Sequence, residues 1–170
     1  VDVVQDGADV LLVGDAENNG VSIDRNDQNQ LVVTGLLGTS LNNLFDPIIL
    51  SDGSEMGGDL NVTKLGDGDD LLCLRDFVVD GDVSLTSTPG NDVVLMSNVD
   101  VGGSLTIQLG EDEDVADLDK VRVGGRSELR AGAGNDAVFV SGVTAATFFA
   151  DGGNGDDRLV SSFVGSGEIE

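Results

Sequence analysis

Five aspartates, Asp70, Asp92, Asp114, Asp136 and Asp157, recur along the chain at an almost constant interval, the last one position shorter than the other three. Each closes a short acidic segment: LGDGDD (65–70), STPGND (87–92), GEDED (110–114), AGAGND (131–136) and DGGNGDD (151–157). If each period is one coil of a stack, the five carboxylates stand in a column one rung apart, about 4.8 Å. Two unit charges at that distance repel by about 1 kcal/mol in water and by about 3–4 kcal/mol at an effective dielectric of 20. Two chemistries would relieve the column. In one, a divalent cation sits between rungs, held by carboxylate and amide oxygens and by carbonyls that glycine lets converge. Such hard oxygen donors suit Ca²⁺ better than a transition metal. The candidate ligands are Asp67, Asp69, Asp70, Asn91, Asp92, Asp112, Asp114, Asn135, Asp136, Asn154, Asp156 and Asp157, densest at 66–70 and 151–157. In the other, each Asp or Asn accepts backbone N–H bonds in its turn and solvent screens the charge. Asn91 and Asn135 dilute the charge in favour of this second arrangement.

Acid–base catalysis fits the column less well. The chain has no His and no Tyr, and its 8 Lys and Arg do not pair clearly with the acidic edge. The commonest general base is therefore missing, and a non-enzymatic protein is expected.

A fixed period of about 22 residues points to stacked copies of one structural unit. Residues 58–170 align as five coils, each with a Gly-led turn, a strand, the acidic turn, a second strand, a polar corner and a third short strand. The inward positions of the first strand are Leu60/Val62, Val83/Leu85, Leu105/Ile107, Ser127/Leu129 and Phe148/Ala150, alternating with polar residues. That period of two marks one buried and one wet face. Leu72/Leu74, Val94/Met96, Ala116/Leu118 and Val138/Val140 fill the second strand, and Phe77/Val79, Val99/Val101, Val121/Val123 and Val143/Ala145 the third. The expected fold is all-β: a right-handed parallel β-helix, or β-solenoid, with three strands per coil. No segment shows a helical period uninterrupted by Gly.

Residues 1–57 are expected to hold one or two degenerate coils and an N-terminal cap over the open core. QDGADVLLV (5–13) echoes the acidic turn and its strand, placing Asp9 with the column; strands are also expected at 19–24, 30–35 and 47–51. GSGEIE (165–170) reads as the start of a further coil, an end that is unfinished, frayed or ready to receive strand Val1–Val4 of another copy. A first residue of Val reads as a processed product or a piece of something larger.

The formal net charge is −24, from 32 Asp and Glu against 8 Lys and Arg. Such a chain repels nucleic acid and anionic lipid surfaces, and no apolar run reaches the roughly 18 residues of a membrane span. With 25 Gly, no Trp and 6 Phe, the core must be thin and aliphatic. Cys73 is alone, so pairing says nothing about compartment.

The segment DGGNGDDRL, with Gly152, Gly153, Gly155 and Asp157 in G-G-x-G-x-D spacing, resembles the nonapeptide calcium repeat of RTX proteins. AGAGNDAVF and LGDGDDLLC match with Ala131 and Leu65 in place of the first Gly. This resemblance covers one turn per coil. Across nearly the whole chain, the Gly-Asn-Asp turns resemble the β-solenoid arrays of large secreted bacterial surface and adhesin-like proteins. That resemblance implies a secreted or cell-surface structural or adhesive module, in its sharper form a self-associating filament or surface-layer subunit rigidified by calcium. A carbohydrate-binding or polysaccharide-cleaving β-helix is the alternative, with cell-surface polysaccharide as its partner.

One further column bears on partners. The second strand is apolar on its outer side too, through Leu71, Val93, Leu95, Val115, Phe139 and Val160. A long uncovered apolar stripe marks an interaction surface. It is expected either to lie under the Leu-, Ile- and Phe-rich segment 36–50 or to contact another copy laterally. Arg122 is expected to pair with Asp100 one coil earlier.

Overall fold

Short runs of alternating apolar and polar residues, punctuated by glycine, form strands throughout the chain, and the computed structural model describes residues 1–53, 55–164 and 167–169. The N-terminal region carries β1 (Asp2–Asp6), β2 (Asp9–Val13), β3 (Gly20–Arg25), β4 (Leu31–Leu36), β5 (Ile48–Ser51) and β6 (Glu55–Met56). The regular region follows with β7 (Leu60–Thr63), β8 (Leu71–Val79), β9 (Val83–Thr86), β10 (Val93–Val101), β11 (Leu105–Glu111), β12 (Val115–Asp119) and β13 (Arg122–Val123). It ends with β14 (Arg126–Ala133), β15 (Ala137–Thr144), β16 (Thr147–Asn154), β17 (Arg158–Val164) and β18 (Gly167–Ile169).

These strands stack as a parallel β-solenoid. One sheet takes the first strand of every coil, in the order β1-β2-β7-β9-β11-β14-β16-β18. The other takes the second and third strands, with β3, β8, β10, β12 and β13, β15 and β17 in succession. Its register is one coil per step: Leu71 pairs with Val93, Val93 with Val115, and Val115 with Ala137. The second and third strands merge into single bent strands in β8, β10 and β15. Their bend falls at Asp76, Asn98 and Gly142, and the equivalent corner between β12 and β13 at Lys120, all left-handed, with φ between 53° and 62°. Such a conformation strains most L-residues and least so Asn, Asp and Gly. Asn98 Nδ2 donates to Asp76 Oδ1 at 2.8 Å, tying two of these corners together.

Inside runs one aliphatic core. The expected inward columns are buried from Leu60 and Val62 through Leu129, Phe148 and Ala150 in the first strand. Those of the second and third strands are buried likewise, from Leu72 to Val140 and from Phe77 to Val143. Ser127 is the polar exception, buried beneath Phe148, its partner in register. A small residue there leaves room for the ring, but its hydroxyl finds no hydrogen bond.

The N-terminal region holds one coil and a cap. β2, β3 and β6 stack on β7 and β8 as an ordinary coil. The chain departs after β3 to form β4 and β5, then returns at β6. β1 lies antiparallel on β2 and ends the first sheet; β4 lies antiparallel on β3, and β5, antiparallel to β4, ends the second. Val1, Val3, Leu31, Val33 and Leu41 close the core at this end. The expected strands at 19–24, 30–35 and 47–51 are thus present within a residue or so at each end. Asp9, however, is not a rung of the aspartate column. It opens β2, the first strand of its coil, and accepts the Asp59 amide at 2.9 Å, starting a separate series in which Asp59 accepts from Asp82 and Asp82 from Ser104. Val1–Val4 is engaged within its own chain: the terminal amine donates to Ser40, and Asn42 bonds both the N–H and the carbonyl of Val3. Residues 165, 166 and 170 of the expected unfinished end lie outside the described residues.

Candidate functional site: the acidic turns

The acidic turns bring their side chains into two parallel series whose hydrogen bonds run in opposite directions. Consecutive amides of a stacked strand point to opposite neighbours, so adjacent residues of one turn reach the coil before and the coil after.

The inner series is the aspartate column. Asp70, Asp92, Asp114 and Asp136 are 2%, 0%, 1% and 2% exposed. Each receives, on Oδ1, the amide of the residue one coil earlier. Asn19 donates to Asp70 at 2.6 Å, Asp70 to Asp92 at 2.9 Å, Asp92 to Asp114 at 2.8 Å, and Asp114 to Asp136 at 2.9 Å. Asp157, less buried, ends the series by accepting the Asp136 amide at 3.0 Å. Asn19 is therefore the first rung, 51 residues before Asp70 because the excursion through β4 and β5 intervenes.

The outer series is built from Asn18, Asp69, Asn91, Glu113, Asn135 and Asp156. Asp69 donates its amide to Asn18 Oδ1, and Asp69 Oδ1 accepts both the amide and Nδ2 of Asn91. Asn91 Oδ1 takes the Glu113 amide, and Asn135 Oδ1 that of Asp156. Carboxamide and carboxylate alternate without exception, so no two charges are adjacent in this series. The two donors of Asn91 hold the Asp69 carboxyl below its usual value.

Of the remaining candidates, Asp67 is exposed beside the Thr88 hydroxyl, which also donates to the Gly66 carbonyl. Asp112 sits exposed in a left-handed turn, with φ 77°. Asn154 is exposed at the end of β16, its carbonyl accepting the Gly134 amide.

Glycine sets how closely the turns stack. Gly132 has φ 123°, and a Cβ on it would fall on the Gly110 carbonyl oxygen; Gly155 stands in the same relation to Gly134. These turns are in backbone-to-backbone contact.

The donor geometry fits a calcium cage poorly. Inner Oδ1 atoms are taken by amides, outer oxygens by amides and carboxamides, and among the described residues no three Asp, Glu, Cys or His side chains converge on a common point. The arrangement the turns do build is the hydrogen-bonded one.

Burial acts strongly on the inner carboxyls. It pushes Asp92 up to about 6 and Asp114 to about 7, and raises Asp70 and Asp136. Asp92 alone has a hydroxyl partner, Ser87 Oγ, on its second oxygen, which helps the charged form.

The outer apolar face is shallower than expected. Leu71, Val93, Leu95, Val115 and Phe139 are half-buried, Cys73 is buried, and Val160 is 46% exposed. Exposed Asp117 stands in register between Leu95 and Phe139, and the Arg158 guanidinium lies 5.3 Å from the Phe139 ring centre. Segment 36–50 extends the end of the sheet rather than lying across this face: Thr39 bonds Gly20, Leu41 enters the capped core and Ile48 pairs with Val33. Arg122 pairs with Asp100 at 2.9 Å as expected, and Glu128 takes both Arg126 and Arg130.

Fold and turns together define a parallel β-solenoid with hydrogen-bonded acidic turns. No family model, no curated protein and no solved structure matches the chain.

Proposed function

We propose that this chain is a non-enzymatic structural or adhesive module, a stiff solenoid segment working outside the cell or on its surface. The observation that carries the reading is that the residues with the most chemical potential, the repeated acids of the turns, hold one coil to the next. A catalytic carboxylate needs a free oxygen facing substrate; an inner Asp here faces the amide of the neighbouring coil. Stacking of this kind gives each coil only nearest neighbours to bond, which makes length adjustable and bending costly. The wet outer faces and the half-buried stripe from Leu71 to Val160 are where a second copy or a surface polymer would lie.

The test is incubation with a panel of acidic polysaccharides, following bond cleavage and binding together with sedimentation of the protein. Retention of polymer length alongside binding or self-association is the expected result. Turnover that disappears in Asp69→Ala or Asp156→Ala would replace this reading with a polysaccharide-cleaving one.

A further inference from the structure

The inner column contains a donor deficit. Asp114 and Asp136 each place Oδ2 in a position closed to solvent with no hydrogen-bond partner, and Asp70 Oδ2 also lacks a hydrogen bond. Sequence explains the difference from Asp92. Ser87, five residues before Asp92, supplies a hydroxyl; the same place is Leu65, Leu109 and Ala131 in the turns of Asp70, Asp114 and Asp136. A bare carboxylate oxygen against aliphatic carbon is costly. The first rung shows the alternative: Asn19 has an N–H donor on its side chain and directs it to the carbonyls of Glu17 and Leu65, both at 2.7 Å. A protonated carboxyl has nearly the shape of that carboxamide and likewise combines an acceptor with a donor.

We propose that the inner aspartate column is a proton-binding site built into the fold. Asp114 and Asp136 are held as neutral carboxylic acids, their buried second oxygens carrying no charge to be satisfied, so the stack takes protons up from solvent as it forms.

The charged surroundings agree. The groups acting on Asp114 are Asp92, Asp136 and Asp112; on Asp136 they are Asp157 and Glu113, all acidic. The bases nearest in sequence are engaged elsewhere: Lys120 pairs with Asp119, Arg122 with Asp100 and Arg130 with Glu128. Burial, the largest cause, moves Asp114 from 3.8 to about 7. A carboxyl whose native value lies above its unfolded one contributes stability that is full below 3.8 and is lost as pH rises through about 7. The inference concerns the fold's response to acidity and stands whatever the module binds.

The experiment is denaturant unfolding between about pH 4.5 and about pH 8 for the wild type, Asp114→Asn and Asp136→Asn, with exposed Asp117→Asn as the control for net charge. Infrared spectra of the native proteins at about pH 6 accompany it, reading the carbonyl band of protonated carboxyl groups. Wild-type stability is expected to fall with rising pH. Each ladder variant should lose about one linked proton, a tenfold weaker dependence of the unfolding constant per pH unit, and should overtake the wild type on the alkaline side. The protonated-carboxyl band should weaken in Asp114→Asn and Asp136→Asn but not in Asp117→Asn. A pH slope that does not change in the ladder variants, or a wild type with no such band, would overturn the proposal; the band decides even if a variant fails to fold. Stabilisation by calcium that Asp114→Asn abolishes would also overturn it, making the column an anionic cation site.

Discussion

Single atoms decide the cost of an acidic turn. Asp92 and Asp114 are equally buried and each accepts the amide of the coil before, yet Asp92 has Ser87 Oγ on its second oxygen and Asp114, with Leu109 at the equivalent sequence position, has no partner there. Ser87→Ala should therefore destabilise the protein by about 1–3 kcal/mol, the cost of an abandoned buried acceptor. Asp92 is charged mainly above about 6, so the loss should be larger on the alkaline side of that value, measured by urea unfolding at two pH values. Ser127 presents the opposite case, a buried hydroxyl with no partner to lose. Ser127→Ala is expected to be neutral or to stabilise by up to about 1 kcal/mol, and a clear drop in melting temperature would count against the unsatisfied hydroxyl.

At the scale of elements, the turns rather than the strands limit what the sequence can vary. The strand columns accept Val, Leu, Ile, Met, Ala and Phe at equivalent inward positions, because the core is a file of aliphatic volume. Turn glycines have no such freedom. Gly132→Ala would add a Cβ on the Gly110 carbonyl at φ 123°, combining backbone strain with a steric clash, and should cost about 2–4 kcal/mol. Thermal unfolding checks it. The left-handed corners are more forgiving: Asp76, Asn98 and Lys120 occupy them, side chains that project to solvent. The antiparallel strands β1 and β4 complete the picture by closing the core where the parallel stack would otherwise present open edges.

For the whole molecule, the charge of −24 and the half-buried apolar stripe pull against each other. Like-charged copies repel, so lateral association through Leu95, Phe139 and Val160 should appear only when salt screens the surface. Sedimentation velocity across a salt series tests this. Association that rises with salt and disappears in Leu95→Lys/Val160→Lys supports the stripe, whereas a monomer at every salt concentration removes it as a contact between copies.

The repeat period, the strand columns and the regular solenoid were legible in the sequence because each coil repeats the same alternation of apolar and polar side chains. The pairing of Arg122 with Asp100 followed from that register alone. The fate of the carboxylates did not, because an Asp in a Gly-rich turn reads as exposed in any single coil, and only the coils on either side of it bury Asp70, Asp92, Asp114 and Asp136. The first rung was hidden for a related reason: the excursion between β3 and β6 breaks the period, so Asn19 resembles no other member of its column until the strands are stacked. Local pattern thus determined the repeat and the core. Burial and the direction of each amide depend on neighbours far along the chain, and the tertiary structure alone decided that the acidic column faces inward and bonds coil to coil.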